Sequence, residues 1–291
     1  MDPMHAIVLA YVLGAACVPR PVAKPAVHAA RAVTGVFTEP GTFKLEEWPA
    51  QVEAMKRAGI DTVIVKAFSD ETAAIATRAH ELGLTVYLGL TDGAGFDVDK
   101  ATPESLAGAL QTDRQVFQAA KSLPHDGWYI GREAHNSSNA EAMKRMRELY
   151  LKPLAADLFA DRPRVLLSPY FNPAPDEDFL GPEETAQAFA TLVAGTKITT
   201  IALQDGTGVR FDEDERYCTW PDLRVYLAQA AAYESAVAKA LPGKFWLNVE
   251  AFGDDATPSR FRRQREIAPA AKIVTYEWKA YQKLRWVTRR R

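Results

Sequence analysis

The amino-acid sequence predicts an α/β fold of one architecture, a single-domain (β/α)8 barrel (TIM barrel) that starts at Gly35. Three observations predict it. Eight short, β-rich apolar runs alternate with longer amphipathic stretches, the order of a barrel rather than of segregated helical and strand halves. The alternation occupies about 255 residues, the usual size of one such barrel. No Gly/Ser/Pro-rich linker interrupts it after residue 34, so nothing supports a division into two domains. A doubly wound open sheet is the alternative. That fold opens on a Gly-rich phosphate turn, and "GVFTEPGTF" is not one.

The elements follow in order. "GVFT" (35–38) precedes "LEEWPAQVEAMKRAG", where Trp48, Val52 and Met55 fall on one helical stripe and Gly59 supplies the stop. "DTVIVKAF" (61–68) precedes "SDETAAIATRAHELG", which begins at a Ser/Asp cap and stops at Gly83. "LTVYLGLT" (84–91), "GWYIG" (127–131) and "RVLLSPYF" (164–171) precede helical patterns over 103–122, 138–159 and 182–194. "TTIALQD" (199–205), "FWLNVEAF" (245–252) and "KIVTYEW" (272–278) precede patterns over 221–240, 258–267 and 279–288.

Residues 1–34 stand apart as an export segment and linker, leaving 35–291 to the barrel. The apolar run from Ala6 to Cys17 is too short to span a bilayer and has the length of a signal-peptide core. "GAAC" resembles a lipoprotein signal box with Cys17 as the lipidated residue, although Leu13 stands four positions before the cysteine and "MDPMH" lacks Lys or Arg. Plain cleavage is the other reading. The expectation is an exported protein, periplasmic or on the outer membrane, that touches a membrane only through an N-terminal lipid.

Composition excludes other classes. A net charge of −2 with no clustered basic face leaves no footprint for nucleic acid. Cys17 and Cys218 are the only cysteines, too few for a disulfide framework, and Cys218 reads as a structural thiol. The five histidines are scattered without metal-ligand spacing, so neither a metal nor a cofactor is expected.

Catalytic residues of a barrel lie at the C-terminal ends of its strands. "KFWLNVEAFG" is the most telling of these ends, because residues two apart on a strand share a face. Trp246, Asn248 and Glu250 therefore point the same way, placing an amide and a carboxylate on one face of a core-like strand. By the same rule Tyr129, Gly131 and Glu133 share a face in "GWYIGREAHN". Two glutamates at the ends of strands 4 and 7 lie on opposing walls and can meet across the mouth, as the two carboxyls of a glycosidase must. Glu133 has a second reading, as a partner of Arg132 or a helix cap. The remaining strand ends add carboxylates, amides and aromatics, a mixture that suits a sugar. Gln204, Asp205, Asn248, His135, Asn136, Tyr170, Trp128, Trp278 and Glu277 are the candidate substrate contacts, and Glu277 is the reserve catalytic acid. Asp205 reads equally as a brace or turn residue.

Four segments together resemble a family of exported bacterial barrel proteins, known only as a domain of unknown function and regarded as glycosidase-like. They are "GTFK…EEWPAQVEAMKRAGIDTVIV", "GWYIGREAHN", "SPYFNP" with "IALQDGTGV", and "FWLNVEAF…RFRRQREIA…KIVTYEW". The resemblance implies a (β/α)8 fold and a sugar-directed site that includes Glu133, Asp205 and Glu250. At strand 4 the chain departs from the family pattern, with His135 and Asn136 where an acid is expected. The expected function is that of a retaining glycoside hydrolase on a polysaccharide or oligosaccharide. The alternative is a non-catalytic carbohydrate-binding barrel that handles exopolysaccharide.

Overall fold

The computed structural model describes residues 21–91, 98–173, 178–208, 222–253, 256–269 and 271–289. Cys17 and Cys218 lie outside them. Eight parallel strands close into a ring in chain order: β1 (Val33–Thr38), β2 (Thr62–Ala67), β3 (Thr85–Thr91), β4 (Gly127–Ile130), β5 (Val165–Leu167), β6 (Thr200–Gln204), β7 (Phe245–Glu250) and β8 (Lys272–Tyr276). β8 pairs back onto β1 through Val274 and Gly35. The predicted barrel is therefore the observed one.

The helices surround the strands: α1 (Trp48–Arg57), α2 (Glu71–Glu81), α3 (Pro103–Ala120), α4 (Ala140–Met146), α5 (Lys152–Asp161), α6 (Pro182–Val193), α7 (Leu223–Ala240), α8 (Pro258–Ile267) and α9 (Trp278–Arg289). α4 runs into α5 through a π turn at Arg147–Leu151. Pro153 lacks an N–H and its ring would crowd the carbonyl four residues back, in that turn, which the wider π geometry relieves.

Strand alternation sorts the side chains into two cores. Phe37, Ile64, Tyr87, Tyr129, Leu166, Ala202 and Val274 fill the barrel, with Trp246 and Tyr276 packed against them. The opposite-phase residues, among them Val36, Val63, Val86, Trp128, Val165 and Leu247, meet the helices in a larger outer core. The interior is filled, so a ligand can approach only from an end.

This sorting corrects two predicted sugar contacts. Trp128 is out of phase with inward-facing Tyr129; its ring packs on Phe117 and His125, and its Nε1 donates to Asp161 at 3.1 Å. The apolar run "KIVTYEW" carries the strand pattern through Trp278, but β8 stops at Tyr276 and Trp278 opens α9. There its indole N–H donates to Gln51 at 3.0 Å, in the helical shell.

Candidate active site

The inward phase that fills the barrel continues past its packed layer and delivers polar groups to the C-terminal mouth. β7 does this most clearly. Its register with β8 sets Asn248 beside Val274 and Glu250 beside Tyr276, both partners in or against the inner core. The strand needs apolar residues on its outer face, Leu247 and Val249, and only the inner face is free for chemistry.

Glu133 extends the inward face of β4 beyond Ile130. Gln204, at the end of β6, donates Nε2 to Glu133 Oε1 at 2.9 Å and to the Ser168 carbonyl at 2.8 Å. The carbonyl can only accept, so the amide orientation is set and Glu133 Oε1 is an acceptor. Any proton on Glu133 therefore sits on Oε2. Burial raises its pKa, opposed by the Gln204 hydrogen bond and the Lys66 charge. Its neighbour Arg132 faces the other way and is held by a bidentate pair with Asp113 of α3, Nε to Oδ2 at 3.0 Å and Nη2 to Oδ1 at 2.8 Å. Tyr150 donates to the same Asp113. That buried anchor sets the strand 4 exit from which Glu133 projects.

Glu250 is 3% exposed and is more tightly enclosed. The Gly208 N–H donates to its Oε2 at 2.6 Å, so a proton on Glu250 sits on Oε1. A Cβ at Gly208 would stand 2.7 Å from the Phe252 ring and 2.9 Å from Glu250 Oε2, so only glycine allows this approach. The Glu250 N–H donates to Asp205 Oδ1 at 3.2 Å. From α8, one turn apart on a single face, Arg260 donates to the Glu250 carbonyl at 3.0 Å and Gln264 to Asp205 Oδ2 at 2.7 Å. Burial, then the charge of Asp205, push the Glu250 carboxyl up to about 8; Glu133 adds to the rise, while the Gly208 bond and Arg260 oppose it.

The predicted residues thus divide. Glu133, Gln204, Asn248 and Glu250 come together. Asp205 is a correction: it is 1% exposed, and Oδ1 accepts from the backbone of Thr207 and Glu250 while Oδ2 accepts from Gln264. It braces the β6 and β7 ends and acts on Glu250 through its charge. Asn136 is corrected likewise. Its side chain is buried and ties Asn172, on both backbone N–H and carbonyl, and the Leu180 carbonyl, stitching loops together. His135 is buried between Tyr170 and Phe179 with Nε2 3.5 Å from Asp99, at the side of the mouth. Glu277 stands at the rim beside Glu39; burial first, then the Glu39 charge, raise its pKa.

Sequence reading missed Lys66. Its Nζ donates to the Tyr276 hydroxyl at 2.8 Å and pairs with Glu39 at 3.2 Å. The signal was present: Lys66 shares the phase of inward-facing Ile64 and is the lone cation in an apolar run. Arg260 and Gln264 were also missed, and nothing local marks their targets. Among the described residues no group of three or more His, Cys, Asp or Glu is placed to share a metal ion.

Solved structures similar to this chain are barrels. A Bacteroides thetaiotaomicron protein, provisionally titled an α-L-fucosidase, aligns over 90% of this chain and 96% of its own at 16% identity and a TM-score of 0.62. A GH18 chitinase from Pseudoalteromonas aurantia aligns over 89% and 98% at 12% identity and a TM-score of 0.53. A deoxyribose phosphate aldolase from Aeropyrum pernix aligns over 89% and 90% at 14% identity and a TM-score of 0.50. At such identities the likeness is one of fold, shared by glycosidases and other barrel enzymes. No curated protein matches the chain in sequence. The family model described as "Domain of unknown function (DUF4434)" matches residues 33–284, and the chain belongs to that family.

Proposed function

We propose that the chain is a retaining glycoside hydrolase, exported and acting on a polysaccharide or oligosaccharide at the cell envelope, with Glu133 and Glu250 as its catalytic carboxyls. One observation carries the reading. Two acids 117 positions apart in the chain, by their numbers, stand at the ends of β4 and β7 and are joined through one neighbour: Gln204, which donates to Glu133, pairs in register with Asn248, two residues before Glu250 on the same strand face. Glycosidic hydrolysis needs two such carboxyls, about 5–5.5 Å apart for retention.

In this mechanism Glu133 Oε2 gives its proton to the leaving oxygen while Glu250 attacks the anomeric carbon and forms a glycosyl ester. Glu133, now a carboxylate, takes a proton from water, and the water oxygen displaces Glu250. The Gly208 N–H steadies the Glu250 carboxylate whenever it is free. One observation favours a reversed allotment: burial and the Asp205 charge push the Glu250 carboxyl up to about 8, whereas at Glu133 the Gln204 hydrogen bond and the Lys66 charge oppose the rise caused by burial.

Trapping separates the two. The purified protein is screened against a glycan panel, and product anomers are followed by NMR. A 2-deoxy-2-fluoro glycoside of the sugar it cleaves is then used to label it, and the labelled peptide is read by mass spectrometry. Label on Glu250 supports the first allotment and label on Glu133 the second. An inverted product with no label removes the retaining mechanism. Binding across the panel without turnover by the wild type removes the hydrolase reading and leaves a sugar-binding barrel.

A further inference from the structure

The two ends of the barrel differ in charge. Parallel strands closed into a ring all begin at one end, so the seven helix-to-strand turns gather there, opposite the mouth. Taken with the last four residues of each helix and the first of each strand, those turns hold eleven Lys or Arg and five Asp or Glu. Ion pairing does not cancel the excess. Arg57, Arg78, Arg162 and Lys272 form ion pairs, and Arg265 has Glu266 beside it. Lys56, Lys121, Arg164, Lys197, Lys239 and Lys244 form none among the described residues. Five of these six are exposed; Lys244 is half-buried, with Nζ donating to the Ile198 carbonyl at 3.2 Å. They come from positions 56 to 244, so no run of the sequence is basic and only closure of the ring collects them.

Helix C-termini favour cations, which accounts for Lys56 and Lys239 in the last turns of α1 and α7. It does not place Arg164, Lys197 and Lys244, which stand outside the helices, just before β5, β6 and β7. The mouth end has the opposite sign: Glu71, Glu104, Glu141 and Glu183 stand in the first turns of α2, α3, α4 and α6. The N-terminal segment meets the barrel at the basic end. In the last turn of α8, the Glu266 carbonyl accepts from the His28 N–H at 2.8 Å, and Arg265 Nη1 donates to the Arg31 carbonyl at 2.7 Å. Residues 1–20, with the apolar run from Ala6 to Cys17, are therefore joined to the chain at this end. An apolar segment beside a set of cations is the combination that holds proteins on anionic membranes. Cations distributed around a ring meet a plane together, whereas a nucleic-acid strand or an acidic peptide would touch one arc of them.

We propose that this end of the barrel docks on an anionic phospholipid bilayer and turns the mouth away from the membrane. Each cation near such a surface strengthens binding about fivefold, and less where salt screens it. The docking stands whether or not the mouth hydrolyses a glycan. Full-length protein is titrated with vesicles of phosphatidylcholine alone and of an equal mixture with phosphatidylglycerol, and the bound fraction is read by flotation. Binding through the apolar run is common to both lipids, so the ratio of the two partition coefficients isolates the charge. At physiological salt that ratio is expected to be roughly tenfold or more. It should fall when Arg164→Gln, Lys197→Gln and Lys239→Gln are combined, and further with Glu at the same three positions. Hydrogen exchange of the wild type on mixed vesicles should slow in the turns 121–126, 194–199 and 241–244, and not in the helix starts 71–74 and 103–106. A ratio near one, or a ratio that the substitutions leave unchanged, overturns the proposal. So does slowing at the helix starts instead of the turns, or tighter binding of a DNA duplex than of the mixed vesicles at the same salt.

Discussion

Replacing Glu250 by Gln is expected to abolish turnover and, at neutral pH and above, to stabilise the fold. Burial and the Asp205 charge raise this carboxyl from 4.5 to about 8, so the folded chain holds a proton that the unfolded chain releases. The contribution is fully present below about pH 4.5 and drains away as pH rises towards about 8. At about 1.4 kcal/mol per pH unit, the whole span amounts to roughly 5 kcal/mol, of which about 3 is lost by pH 7 and under 1 by pH 5. Gln carries no charge to desolvate, and its oxygen can accept from Gly208 as Glu250 Oε2 does. The variant should therefore gain about 2–4 kcal/mol over wild type at pH 8, after about 1 kcal/mol for seating the extra N–H groups, and little at pH 5. Urea unfolding of both proteins at pH 5, 6, 7 and 8 measures the difference. Raised carboxyls such as Glu234 occur in both proteins and cancel. A difference that does not grow with pH, or a variant less stable at pH 8, refutes the argument that Glu250 is protonated by its surroundings.

Other substitutions test other parts of the site. Asp113→Ala leaves the buried Arg132 guanidinium without its bidentate partner and should lower unfolding free energy by about 3–5 kcal/mol in urea. Trp128→Phe removes the bond to Asp161 and part of the outer core; a loss of about 1–2 kcal/mol with kcat unchanged is expected, and a tenfold fall in kcat would return Trp128 to the sugar site. Lys66→Met removes a cation that holds the Glu133 pKa down, so the alkaline limb of the pH–rate profile should move to higher pH; a downward move contradicts Glu133 as the acid. Glu234 is buried in α7 and its pKa lies well above the usual range, burial first and Asp205 second, so Glu234→Gln should stabilise the protein increasingly from pH 5 to 8, read by thermal unfolding.

Particular residues show where a linear reading succeeds and where it stops. The face shared by Trp246, Asn248 and Glu250 was legible because strand alternation is a property of the backbone. The same rule, applied to β4, would have sent Trp128 outward, and applied to β2 would have found Lys66. Trp278 was misplaced because "YEW" continues a β-rich run with no Gly or Pro to mark its end. Asp205 had two readings in "LQDGTG", and its partner Gln264 lies 59 residues further along, on another element. Helix α8 shows a single face through Arg260 and Gln264, yet no local pattern says that this face meets the carbonyl of Glu250.

Alternation with periods of two and of 3.6 residues was enough to read a ring of eight strands and the side of each strand that faces inward, since both periods arise from bonds between near neighbours. Which acids share the mouth, which of them holds a proton and which way each amide turns were decided only in three dimensions. Gln204 meets Glu133 across 71 residues and Asp205 meets Glu250 across 45. Desolvation and Coulomb forces act through space, so their outcome depends on how the ring closes and on nothing local to either residue.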